Sequence, residues 1–299
     1  MQLTRRDVEI LKTIYHYDGI LSVDQVHRWF FGAKRRAYYR IAALSEAKCI
    51  QRLAPAERYR VPEPIVWLDK IGAQVVANHM GVEEADLNWR SQPRWSRVGH
   101  DLALNEVRHS LTQAWSKDPQ YSVETWHGQE AVGRLLSSPI AYLDPQGQQH
   151  QKVVNPDGYC CVRVDASKPY RLRFVIELDN NSFSSRRFGR DKVAPLIHLM
   201  RSPLYQQELG GQTGRVLVVT VGSEVRFHHL RSEVKAAGGS GYFVLTRAEW
   251  IQPETALTAP IFYVAHLDTP VSFRVYHTDS FQRQLRETLI GVPQLRTLY

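Results

Sequence analysis

The chain has 299 residues, 43% of them hydrophobic and 23% charged, an ordinary globular composition that excludes a fibre or a disordered tail and gives length for one large domain or two modest ones. Its net charge of +8 points to a polyanionic partner, and the charge is local: residues 1–60 hold twelve basic side chains against six acidic ones. No run approaches the about eighteen apolar residues of a membrane span, and the opening MQLTRRDVEILKTI lacks the apolar core and cleavage site of a secretion signal, so a cytoplasmic protein without membrane contact is expected.

Thr4 is placed to cap a first helix with Asp7 three residues on, and Val8, Leu11, Ile14 and Tyr15 recur at helical spacing until Asp18-Gly19. Ser22 caps a second, short helix with Val23, Val26, Trp29 and Phe30 inward, and Gly32 is expected to make a left-handed turn before a third segment, 33–48. On that segment Tyr38, Ile41, Ala42 and Leu44 are expected inward, while Lys34, Arg35, Arg36 and Arg40 lie toward its N-terminal half. Strands are predicted at 50–53 and 65–68, joined by a basic stretch that contains Arg58 and Arg60. Three helices and a hairpin are the layout of a winged helix-turn-helix. The expected partner is double-stranded DNA, read by the third helix through Lys34, Arg35, Arg36 and Arg40 and by the wing through Arg58 and Arg60. A solvated basic face on a helical bundle is the alternative. One more helix, from Asp69 to Gly81, precedes a polar stretch that sets the expected boundary: 1–90 as the winged helix and 91–299 as a second domain.

The second domain alternates. A helix over 98–115, a strand at 121–126, a hydrophilic loop at 144–151 and strands at 153–164 and 171–178 are followed by a long helix over 183–205, broken or bent near Pro195. A continuous apolar strand at 216–221, buried by its composition on both faces, a helix at 224–236 and a strand at 242–245 complete an α/β core, so that the whole chain is α+β. Cys49, Cys160 and Cys161 match neither a disulfide framework nor a zinc site and read as buried thiols.

Chemistry is concentrated in Pro156-Asp157-Gly158 and in Glu177-Leu178-Asp179, the latter ending the apolar run Phe174-Val175-Ile176. Carboxylates on neighbouring strand ends can hold a hard cation such as Mg²⁺, and an apolar strand has little packing reason to end in Glu and Asp. The cation that stabilises phosphoryl charge could come from Lys192 or from Arg186, Arg187 and Arg190 on the next helix. Other motifs are weaker. His228-His229-Leu230-Arg231 contains the HxxR of phosphate-binding recombinase sites, with Tyr242 or Tyr263 following, but a basic cluster on a solvated helix explains it better. There is no His-x-His pair, GxxxxGK loop or GxGxxG fingerprint.

In its order of helix, strand, PD, strand ending in ExD, helix and buried strand, the second domain resembles the PD-(D/E)xK nuclease fold. The whole chain is similar to the replication-relaxation family of bacterial plasmids and mobile elements. The similarity runs through the LTRRD start, Leu68 to Gly72, His100, Pro156-Asp157-Gly158, Glu177-Leu178-Asp179, Lys192 and Val216 to Thr220. It implies a part in plasmid replication or mobilisation, with protein partners in a replication or transfer complex. It also implies Asp157 and Glu177, with Asp179, as ligands of Mg²⁺, and Asp157, Glu177 and Lys192 as catalytic residues; Glu106, Glu124 or Glu130 could add a carboxylate. Position 179 departs from the pattern, holding aspartate where active enzymes carry lysine, and Lys192 is the candidate replacement. His100 is as well explained as a satisfied interfacial histidine. Two readings follow: a Mg²⁺-dependent nicking or cleaving nuclease, or a catalytically inactive nuclease-fold protein that binds DNA as a regulator or assembly factor. A homodimer is compatible with either, although no heptad seam is visible.

Overall fold

A computed structural model describes residues 2–53, 63–144, 147–181, 184–211, 214–239, 241–278 and 280–282; Arg58 and Arg60 lie outside the described residues. The protein is mixed α/β, and its contacts divide it into two compact units, 1–106 and 107–299. Among the described residues no helix is long and apolar enough to cross a membrane. Cys49, Cys160 and Cys161 are free and buried.

The first unit begins with α1 (Arg5–His16), closed by a capping box between Thr4 and Asp7. After β1 (Ile20–Ser22), Ser22 and Gln25 build a second capping box at the start of α2 (Val23–Phe30), and α3 (Lys34–Glu46) follows. Strands β2 (Ile50–Arg52) and β3 (Ile65–Leu68) pair antiparallel, and β1 adds to the other edge of β3, so the order is β1-β3-β2. Gly81 at φ 69° ends α4 (Lys70–Met80) in the left-handed conformation that favours glycine. Ile10, Leu11, Ile14, Val26, Ile41, Leu44, Val66 and Val76 form the core between helices and sheet.

Two sequence expectations for α3 change. Gly32 is not among the positive-φ residues; Asp18, Gly19 and Lys48 take the left-handed positions instead. Ala37, not Tyr38, turns inward with Ile41 and Leu44, so that Tyr38 is 48% exposed and Tyr39 64%. The small Ala37 side chain lets α3 approach the core closely, and the tyrosines are left on the outer face.

Residues beyond 90 also pack on this unit. In α5 (Val98–Ser116), Asn105 donates to the carbonyls of Tyr17 and Ile20 at 2.9 Å each, and Gln25 donates to the Leu102 carbonyl at 2.9 Å. Arg28 makes a two-pronged bond to Glu106 at 2.8 and 2.7 Å. These polar contacts hold the first turns of α5 to residues 1–106, which puts the division inside the helix.

The second unit is built on a six-stranded sheet. After β4 (Tyr121–Gly128) and α6 (Gln129–Leu135), a small hairpin of β5 (Ile140–Leu143) and β6 (Gln149–Lys152) stands where the sequence suggests only a hydrophilic loop. Then come β7 (Gly158–Val164) and β8 (Tyr170–Asp179), antiparallel to each other. The chain crosses through α7 (Ser185–Phe188), a π-helical turn (Gly189–Val193) and α8 (Ala194–Arg201), and after α9 (Pro203–Leu209) it enters β9 (Arg215–Thr220) parallel to β8. Next α10 (Glu224–Ala236) leads to β10 (Phe243–Arg247), parallel to β9, and β11 (Tyr263–Val264) closes the edge; α11 (Phe273–Tyr276) follows. The sheet order is β11-β10-β9-β8-β7-β4.

Pro195 does not break the crossover helix. It lacks the N–H that would bond the Asp191 carbonyl, and that oxygen accepts from Lys152 Nζ at 2.9 Å instead. The π turn sits at this point, and the real break falls at Ser202-Pro203, where Ser202 turns extended and caps α9. The turn also lies close to α10: a Cβ added at Gly189 would meet the Glu233 backbone oxygen at 3.2 Å.

Candidate functional site

Register places the site. Gly158 pairs with Ile176 across β7 and β8, so the next residue on each strand brings Asp157 opposite Glu177. Asp157 is 5% exposed and Glu177 1%. Asp157 Oδ2 accepts from the Leu178 N–H at 2.9 Å, and Oδ1 accepts a longer bond, 3.4 Å, from Gln129 at the head of α6. Alternation along β8 puts Glu177 on the same face as Val175, the face covered by Phe188, Val193 and Leu196 of the crossover helix. From the π turn in that helix, Lys192 Nζ donates to Glu177 Oε2 at 2.9 Å. Lys192 keeps 31% of its side chain exposed while Glu177 keeps 2%, so the ammonium stands between the buried carboxylate and solvent.

Asp179 does not share this site. Its carboxylate receives Arg226 Nη2 at 2.6 Å and Nε at 3.0 Å, and the Thr220 hydroxyl at 2.8 Å. Arg226 also donates to the Ser185 hydroxyl at 3.1 Å, so Asp179 ties β8 to α10, β9 and α7. The expectation that Asp179 would be a third metal ligand is therefore replaced by a structural role: both its oxygens face a guanidinium. Among the described residues no cluster of three or more His, Cys, Asp or Glu side chains is arranged to hold a metal.

The other candidate carboxylates are engaged elsewhere. Glu106 pairs with Arg28 in the first unit, Glu124 takes two bonds from Arg171 at 2.6 and 3.0 Å, and Glu130 lies 3.8 Å from Arg134. Glu124 is the extra residue of a bulge in β4, which turns it out of the strand register. Of the nearby cations, Arg187 and Arg190 both bind Asp191, and Arg186 is exposed. Arg231 of the HxxR donates to Asp268 and to the Leu267 carbonyl, a packing role. His100 sits beside Arg97 and Asp101 in the first unit, with Asp101 bonded by Arg94 at 2.7 and 3.1 Å. Gln129 and Arg226 are not legible in the sequence as site residues: one is an ordinary helix-start glutamine, and the other finds its partner 47 positions away.

A family model described as Replication-relaxation matches residues 11–212, more than half the chain, and the match spans α1 to α9, with Asp157, Glu177 and Lys192 inside it. The chain belongs to the replication-relaxation family. Membership supports a role related to the replication of plasmids and mobile elements. No curated protein and no solved structure matches this replication-relaxation chain.

In this family member the first unit carries a second candidate surface. Lys34, Arg35 and Arg36 are exposed at the start of α3, and none forms an ion pair among the described residues. Tyr38 and Tyr39 lie on the same outer face, with Arg35 5.4 Å above the Tyr39 ring. Arg40, expected with the first three, turns back to α1, where Nε donates to Asp7 Oδ1 at 2.6 Å and Nη2 to Oδ2. Burial would raise the Asp7 carboxyl, but the bonds from Arg40 and Thr4 outweigh it and hold its pKa below the ordinary carboxylate value. Arg40 is thus committed to folding the unit.

Proposed function

We propose that this replication-relaxation protein binds duplex DNA through a winged-helix first unit and cleaves a DNA strand with Mg²⁺ in a PD-(D/E)xK nuclease-like second unit. The observation that carries the reading is the Lys192–Glu177 contact. A lysine from the crossover helix reaches a carboxylate at the strand end where the nuclease pattern needs a cation, although the usual lysine position holds Asp179. The order of α5, β4, β7, β8, crossover helix and β9 supports the nuclease-like core.

Two carboxylates suit the ion, because Mg²⁺ is commonly held by one or two carboxylates and completes its shell with water and substrate phosphate. Asp157 and Glu177 would hold it. When bound, Mg²⁺ supplies positive charge to the scissile phosphate and makes water a better nucleophile. The chain's own groups do the rest. The Leu178 N–H fixes the Asp157 carboxylate, Gln129 reaches its other oxygen, and Lys192 orients Glu177 while presenting its ammonium to charge developing on the phosphate.

For the first unit, α3 is the groove-reading helix, with Lys34, Arg35 and Arg36 on phosphates or base edges and Tyr38 and Tyr39 beside them. Converting Lys34, Arg35 and Arg36 together to Ala is expected to weaken duplex binding and to reduce the slope of log affinity against log salt by up to about 3, near 0.9 for each phosphate no longer neutralised. Fluorescence anisotropy across a salt series measures both, and unchanged affinity and slope would remove α3 from the interface. For the second unit, supercoiled plasmid is expected to become nicked with Mg²⁺ or Mn²⁺ and to stay intact in EDTA.

A second reading is favoured by the Asp179–Arg226 pair, which fills the lysine position with a structural ion bridge. On that reading the second unit is a catalytically inactive nuclease fold that grips DNA or a protein partner. Intact plasmid under every divalent-ion condition, with duplex binding retained, would favour it.

A further inference from the structure

Burial fixes which way α3 faces. Ala37, Ile41 and Leu44 are its buried residues, and at about 100° per residue they fall within about 60° of one another around the helix axis. Arg35 and Tyr39 lie about 160° from Ala37, on the side turned away from the core, and Ala42 and Glu46 continue that line toward the C-terminus. Lys34 and Tyr38 flank the line on one side and Arg36 on the other, at about 60° to 100° from Ala37. The outward line therefore holds one cation, Arg35, near the helix N-terminus, and an acid, Glu46, at the other end. A helix that enters the major groove presents its N-terminal residues to the base edges. Seated in that way, α3 puts Arg35 deepest and leaves the acid at the trailing end.

The Arg35 guanidinium is braced by the next residue of the outward line. Arg35 Nη2 donates to the Tyr39 hydroxyl at 3.2 Å, and the guanidinium carbon lies 5.4 Å from the centre of the Tyr39 ring. The brace uses one N–H, leaves the other N–H groups of the fork as donors, and restricts a long side chain before any contact is made. Among the base edges in the major groove, guanine alone offers two adjacent acceptors, N7 and O6, which match two N–H groups of an arginine. The side chains that match adenine, Asn and Gln, do not occur in α3. On the flank of Arg36, Arg40 is bonded to Asp7 at 2.6 Å, which brings the start of α1 to that side. There Arg6 is exposed, lies 5.0 Å from the centre of the Phe31 ring and forms no ion pair among the described residues. Arg36 and the start of α1 thus lie on one side of the outward line and Lys34 on the other, as the two backbones of a groove would require.

We propose that Arg35 is the base-reading residue of the first unit and takes a guanine in the major groove of duplex DNA, with Tyr39 as its positioning residue and Lys34, Arg36 and Arg6 on the phosphates at either side. The inference rests on the duplex binding proposed for the first unit, and it separates the side chain that carries sequence preference from those that carry charge alone. It does not depend on cleavage by the second unit.

Selection of duplexes from a randomised library by the full chain, followed by anisotropy on a recovered duplex across a salt series, tests this. A guanine is expected at a fixed place in the recovered sequences, and replacing its G·C pair by A·T is expected to weaken wild-type binding about tenfold or more. Arg35→Ala is expected to bind the two duplexes within about twofold of each other. Tyr39→Phe, which keeps the ring and removes the hydroxyl, is expected to lower the preference about twofold or more with the salt slope unchanged. Lys34→Ala, Arg36→Ala and Arg6→Ala are each expected to weaken binding to both duplexes equally and to lower the salt slope by about 0.9, with the guanine preference kept. All five residues are exposed, so their replacement leaves the core intact. Wild-type binding without base preference, or a guanine preference that survives Arg35→Ala, would overturn the assignment and leave duplex binding standing. No duplex binding by the wild type would overturn both.

Discussion

Lys192→Met is expected to lower the rate of Mg²⁺-dependent DNA cleavage by about 10² to 10³, the cost of removing one preorganised electrostatic donor from a phosphoryl-transfer site. The effect is local. Lys192 is the cation bonded to Glu177, at 2.9 Å, and the neighbouring arginines Arg187 and Arg190 are drawn to Asp191. Methionine keeps most of the stem's packing and removes the charge, so the change reports on the ammonium. Lys192→Arg should recover part of the rate, because a planar fork on a stem of similar reach restores charge but not its position. Single-turnover cleavage of supercoiled plasmid measures the loss, and anisotropy on a duplex should show binding within about twofold of wild type, since Lys192 is remote in sequence from the α3 face. Cleavage at the wild-type rate in Lys192→Met would take the lysine out of the chemistry.

The second large effect concerns stability. Arg226→Ala is expected to destabilise the second unit by about 3 to 5 kcal/mol, because it strands a carboxylate that is almost wholly buried. Asp179 keeps 3% of its side chain exposed, and among the described residues Arg226 supplies two of the three hydrogen bonds to its carboxylate. The loss should be larger than that of the double change Asp179→Asn with Arg226→Met, which removes the charge together with its partner. Urea denaturation of the three proteins measures it. If the single variant unfolds at the wild-type midpoint, Asp179 is not the structural anchor argued for, and a metal-ligating role for it would reopen.

That anchor shows what the sequence could and could not disclose. The helices of the first unit are legible because their ends carry local signals: Thr4 with Asp7, Ser22 with Gln25, and Gly81 after α4. Strand β1 is three residues long, leads straight into an N-cap and exists only through pairing with β3, so no periodicity marks it. Tyr38 falls on the inward side of a helical wheel one position away from Ala37, and choosing between them needs the core that receives α3. At the candidate site, PD and ExD identify the two strand ends, and the antiparallel register then brings Asp157 and Glu177 together. The fate of Asp179 is not legible, because Arg226 belongs to another helix far along the chain. The π turn that carries Lys192 has a clue in Pro195, whose missing donor suggests a break and is accommodated without one.

At the centre stands the claim that Asp157 and Glu177 form a working metal site completed by Lys192. Its most direct measurement is the nicking of supercoiled plasmid in Mg²⁺ by wild-type protein beside Asp157→Asn and Glu177→Gln, with duplex binding recorded on the same samples. Nicking by the wild type, none above background by either variant, and equal DNA binding by all three are expected. Equal nicking in the variants, or none by a wild-type protein that binds the duplex, would contradict it.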